Sequence, residues 1–228
     1  MGVLPAQTRR FEGDRHHHEG NAGSVERQLL VLHIPHIRER QRIIGIHLLG
    51  MRYSPESVEM GLYSGATKLS SAGEQMIPPL GDALYPSMVN KKDYRLFYRI
   101  VLRGGILWFL ACGLVEVLAT PLCVLILGGQ YASAGGFLRI LMVGVFFGYF
   151  SFMFGYPALS PIGKATWANA AIMVSAIVNL TACAVLWLTG NITPLTVCVV
   201  FSSTNITTFI VRFGAFMKFR NLAEQDAE

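Results

Sequence analysis

The sequence predicts an all-α fold, a multi-pass transmembrane bundle of about five helices, and three observations predict it. Of the 228 residues, 52% are hydrophobic and only 14% are charged, with a mean hydropathy of +0.44; soluble domains carry about 25% charged residues. The charge is also unevenly spread. Residues 1–60 hold 15 of the 33 charges and all six histidines, whereas Gly104 to Val211 contains only Glu116, Arg139 and Lys164. Finally, four apolar segments, 104–127, 137–158, 166–188 and 194–217, are each long enough to cross about 30 Å of hydrocarbon at about 1.5 Å per residue.

Residues 1–57 read as a poorly defined arm, disordered or non-native. "RRFEGDRHHHEGNAG" is polar and glycine-rich, too poor in apolar surface to offset the entropy of ordering. The following "RQLLVLHIPHIRERQRIIGIHLLG" has no apolar run long enough to span a bilayer, though an interfacial helix fits it. No apolar core of a signal peptide lies in the first 28 residues. The histidine run lacks the Cys or carboxylate spacing that would complete a metal site.

The bundle is expected over 58–222, with a tail over 218–228. Its first helix, about 59–87, is unlike the others. Ser64, Lys68, Ser71, Gln75, Pro79 and Asp82 recur at spacings of three and four, and so form one polar stripe. Leu62, Leu69, Met76, Ile77 and Leu80 occupy the opposite side. A lysine or aspartate at mid-bilayer costs about 2.5–3.5 kcal/mol. The stripe is therefore expected to face a bundle interior or a water-filled cavity, and Pro78-Pro79 is expected to kink the helix. The bland alternative is an interfacial helix lying flat on the membrane.

The connections set an orientation. "NKKDYRLFYR" is basic, "LGGQYASAGG" is neutral, "SPIGK" carries Lys164, "TGNIT" is neutral, and the C-terminal end carries Arg212, Lys218 and Arg220. Basic and neutral connections alternate, which under the positive-inside rule makes the C-terminus cytoplasmic. The same basic clusters suit anionic headgroups better than nucleic acid, for which no binding motif is present. Sequons at Asn179, Asn191 and Asn205 read as chance matches, because two fall within helices.

Two further charges merit weighing. Glu116 lies within an apolar run whose thirteen Leu, Ile, Val and Phe residues from Ile106 to Leu127 offset one carboxylate. It is the candidate for proton or sodium coupling, against a neutral glutamate bonded within the bundle. Arg139 is read as snorkelling from the outer end of its helix, against a contact to substrate phosphate. The aromatic run "VFFGYFSFMFGYP" reads as packing and lipid-facing surface rather than a sugar platform. Gly144 and Gly148 are spaced for close helix contact. Cys112, Cys123, Cys183 and Cys198 all lie in apolar segments and read as small hydrophobes. No phosphate loop, Ser/His/Asp set or paired catalytic carboxylates is present, so neither an enzyme nor a cofactor is expected.

"GLYSGATKL", "ALYPSMV" and "PLCVLILGGQYASAGGFLRIL", with the short-looped helix plan, carry a resemblance. From about Val58 to Leu222 the chain resembles the second half of polysaccharide exporters, the O-antigen and exopolysaccharide flippases of the multidrug/oligosaccharidyl-lipid/polysaccharide superfamily. The resemblance implies half of a MATE-like twelve-helix fold in a bacterial inner membrane. It implies a lipid-linked oligosaccharide as substrate, moved by alternating access, with membrane lipids and a second half or copy of the transporter as partners. Ser64, Lys68, Ser71 and Gln75 would then line the substrate cavity. Lys68 would pair with phosphate as a point charge, and the others would bind sugar hydroxyls. Rival readings are a multidrug exporter of the same superfamily and a non-transporting membrane remnant or assembly partner. A glycosyltransferase or polymerase is a weaker third, for want of a polar loop large enough to hold a catalytic site.

Overall fold

The structure, a computed structural model, describes residues 44–54, 56–91 and 94–225. The arm expected up to residue 43, with its histidines at 16–18, 33 and 36, lies outside the described residues, as does the last part of the tail at 226–228. Seven helices follow one another with no strand among the described residues: α1 (Val58–Gln75), α2 (Pro78–Lys91), α3 (Tyr94–Leu127), α4 (Ala134–Met153), α5 (Tyr156–Leu159), α6 (Ala165–Thr189) and α7 (Pro194–Gln225). A short helix over 44–50 precedes them. Part of the expected arm is thus ordered, because "IGIHLL" supplies apolar side chains to bury, Leu49 completely.

The helix ends follow local chemistry. The Ser57 hydroxyl caps α1 by accepting from the Met60 N–H. The Thr193 and Thr196 side chains each bond the other's backbone N–H ahead of α7, and Pro194 occupies the first helical position, where no donor is needed. Gly190, at φ 67°, ends α6 in the left-handed conformation that glycine adopts at little cost.

The single helix expected over 59–87 is two. Met76 and Ile77 close tight turns onto Gly73 and Glu74. Pro78 and Pro79 then supply no N–H, and a residue before proline is pushed out of the α region. Ile77, 1% exposed, anchors the break in the core.

Two other helices outrun the expected segments. α3 begins at Tyr94 rather than 104, because Tyr94, Phe97 and Val101 recur at helical spacing and are buried. Arg95, Arg99 and Arg103 are therefore exposed helix surface. α7 runs to Gln225, past the expected 217, with Ala215 and Phe216 buried.

Among the described residues, four helical stretches are long and apolar enough to cross a membrane: Tyr94–Leu127, Ala134–Leu159, Ala165–Thr189 and Pro194–Asn221. Length and composition thus make this a multi-pass membrane protein. α4 lies at the centre and packs against α1, α3 and α7, with α6 on the far side of α7. α3 and α4 form an antiparallel hairpin. A Cβ on Gly135 would stand 2.9 Å from the Thr120 Cα. Farther along, the Trp108 indole N–H donates to the Val145 carbonyl at 3.4 Å. α4 and α7 approach as closely at Gly144, where a Cβ would lie 3.0 Å from the Ser202 Cα. The Ser202 hydroxyl donates to the Ile140 carbonyl there, at 2.7 Å. An aromatic and aliphatic core, including Phe97, Tyr149, Met153 and Phe216, closes the end where α2 meets α3.

Candidate functional site

α1 runs parallel to α4. Gly65 lies against Tyr131 and Leu127, and Gly73 lies against Val145. Lys68 therefore stands one to two turns inside the end of the apolar span that α4 begins. α1 turns Tyr63, Ala66 and Ser70 into the bundle, all 1% exposed or less. Its polar stripe lies more than a third of a turn away, with Lys68 almost opposite the buried side, at about 100° per residue. Lys68 and Gln75 are exposed, whereas Ser64 and Ser71 are half-buried.

The stripe is not uniformly available to a ligand. The Ser71 hydroxyl donates to the Thr67 carbonyl at 2.6 Å, and the Thr67 hydroxyl bonds the Tyr63 and Ser64 carbonyls, each at 3.0 Å. Hydroxyls that return to their own helix let a polar sequence stay helical in apolar surroundings. Lys68 and Gln75, two turns apart on one face, are the stripe's outward-reaching groups. They rise about 10 Å apart along the axis.

A second polar constellation lies inside the bundle, and sequence reasoning missed it. Ser202, Thr204, Asn205, Thr208 and Arg212 of α7 are all buried. Asn205 donates to the Glu74 carboxylate at 3.3 Å and ties α7 to α1. Asn179 of α6 donates to the Thr204 hydroxyl at 2.9 Å. Two of the three sequons thus carry asparagines buried at helix interfaces. The signal was legible as the three- and four-residue spacing from Ser202 to Arg212. It was hidden because Arg212 was grouped with the charges of the tail.

Arg212 is 2% exposed. Its guanidinium donates to the Ser151 carbonyl at 2.7 Å and to the Ala168 carbonyl at 3.2 Å. Ser151 is in the last turn of α4, where carbonyls have no partner in their own helix. A cation there also complements the helix dipole. Arg212 therefore closes the end of α4 and holds α6 to it.

Glu116 and Arg139 come together from α3 and α4. The Arg139 Nε–H donates to the Glu116 backbone carbonyl at 3.2 Å, and the two side-chain charges interact. Arg139 is thus drawn onto the neighbouring helix, level with the middle of the apolar part of α3, instead of reaching for the outer end of its own. It is exposed and Glu116 is half-buried. The structure brings these two residues together and leaves them apart from the α1 stripe, on a different side of α4.

The aromatic run packs as rings against rings. Phe146 meets Phe150 at 5.3 Å between centroids, and Phe154 meets Phe213 at 5.1 Å. Between α3 and α7 these rings floor an apolar groove of about 540 Å³. The four cysteines are buried and unbridged, and no group of three or more metal-ligating side chains occurs among the described residues. No protein-family model, no curated protein and no solved structure matches the chain.

Proposed function

We propose that the chain forms one wall of a membrane transporter that flips lipid-linked oligosaccharides by alternating access. The observation that supports this best is the position of Lys68. It is exposed from the bundle one to two turns inside an apolar span, where contact with hydrocarbon is unfavourable for a cation. Such a cation needs water or a second protein surface beside it. A second half or copy facing α1 would enclose a polar cavity. In it, Lys68 pairs with the substrate diphosphate and Gln75 with sugar hydroxyls, while the lipid tail stays in the bilayer. Ser64 and Ser71 line the same wall. Glu116, charge-coupled to Arg139, serves as the ion-coupling carboxylate. The C-terminus is cytoplasmic and the membrane is the bacterial inner one. A multidrug exporter fits less well, because Lys68 repels cationic drugs.

One observation also favours a non-transporting assembly partner: a subunit interface would present the same exposed polar face. Mutation separates the two. Joined to a complementary six-helix half in a flippase-deficient strain, the chain should restore surface polysaccharide. Lys68→Ala should abolish export while insertion stays normal, because the buried phosphate loses its partner. Lys68→Arg should keep part of the activity, and Leu69→Ala most of it. Equal tolerance of alanine at 68 and 69 would refute the cavity assignment, and intact assembly without export would favour the assembly partner.

A further inference from the structure

The groove between α3 and α7 has a polarity pattern of its own. Phe146, Phe150 and Phe154 of α4 form its floor. Leu102, Gly105 and Ile106 of α3 form one wall, and Phe209 and Phe213 of α7 the other. Every lining residue is apolar or aromatic, from Tyr98 at one end of α3 to Phe109 at the other. Those eleven residue steps cover about 17 Å, close to the roughly 15 Å of hydrocarbon in one leaflet.

The two ends differ. Arg95 stands one turn before Tyr98 on the groove side of α3, with Arg99 beside it, and both are exposed. The inner end carries no charge: the Glu116–Arg139 pair lies about 10 Å beyond Phe109, outside the lining. The groove is therefore as deep as one leaflet and basic at its surface end.

We propose that this groove binds one anionic phospholipid from the leaflet at the basic end. Its acyl chain lies over the three phenylalanines and its phosphate meets Arg95 and Arg99. The apolar lining accounts for the chain, the matching depth for a lipid of one leaflet, and the two arginines for the anionic headgroup. The inference does not depend on the transport reading.

Native mass spectrometry of the full chain in detergent tests it, with phosphatidylglycerol and phosphatidylcholine of identical acyl chains. Phosphatidylglycerol should bind of the order of tenfold more tightly. Arg95→Gln with Arg99→Gln should remove that preference, and each single variant, on exposed helix surface, should reduce it. Ile106→Trp fills the groove and should weaken both lipids. Lys218→Gln, on the other face of α7 beside Trp167, should leave the preference intact. Equal binding of the two lipids, a preference that survives loss of both arginines, or binding indifferent to Ile106→Trp would overturn the proposal. So would a lipid-excluding dimer broken by Ile106→Trp, which would give the groove to a second copy.

Discussion

Arg212 shows how one residue can be misplaced by its composition. In the sequence it stands with Lys218 and Arg220 as a positive charge near a membrane exit. In the fold its guanidinium is enclosed and spent on the carbonyls of Ser151 and Ala168. Hydrogen bonds from a charged group contribute about 1.5–3 kcal/mol each when buried. Arg212→Gln should therefore lower stability in detergent by about 2 kcal/mol or more, read as an earlier unfolding midpoint. Arg103→Gln, on exposed surface of α3, should shift it little. A neutral Arg212→Gln would mean that the carbonyls at the end of α4 are satisfied without it. No sequence pattern marks such a cap in advance, because its acceptors are backbone atoms of two distant helices.

Helix–helix contact is decided by glycines whose role periodicity alone does not reveal. Gly135 and Gly136 are neighbours, yet a Cβ on Gly135 meets the Thr120 backbone at 2.9 Å while one on Gly136 meets nothing within 4 Å. Backbone cannot rotate aside as a side chain can. Gly135→Ala should thus part the α3–α4 hairpin at a cost of about 1–3 kcal/mol, and Gly136→Ala should be nearly neutral. Thermal unfolding of the two variants compares them directly, and equal effects would contradict the close approach. The apolar helices were legible because a bilayer demands about 20 apolar residues in a row. Their ends were less so: Phe97 in the core, and Phe219 packed against it, extend α3 and α7 beyond the apolar runs. The double proline signalled a kink at 78–79. That the chain would re-enter as a separate helix depended on Ile77 finding a buried site.

At the scale of the molecule, there are two polar sets besides the Glu116–Arg139 pair. One, on α7, is turned inward and holds helices together; the other, on α1, is turned outward. The α1 stripe was legible from its spacing, but its division into self-bonded hydroxyls and outward-reaching Lys68 and Gln75 required the structure. The four apolar spans also fix an order of connections. Cysteines at Gln130 and Asn191 should react with an impermeant maleimide from one side of the membrane, and a cysteine at Lys164 from the other. Labelling of all three from one side would contradict the four crossings.

The central claim is that α1 presents a water-filled polar wall within the membrane. The most direct measurement is maleimide labelling in intact membranes of single cysteines at Lys68, Leu69, Gln75 and Met76, in a chain whose four buried cysteines are replaced by alanine. The account predicts rapid labelling at 68 and 75, on the polar face. It predicts slow labelling at 69 and 76, on the face that meets hydrocarbon. Equal labelling at all four positions would place α1 on the membrane surface, protection at all four would bury it, and either result would contradict a polar cavity wall.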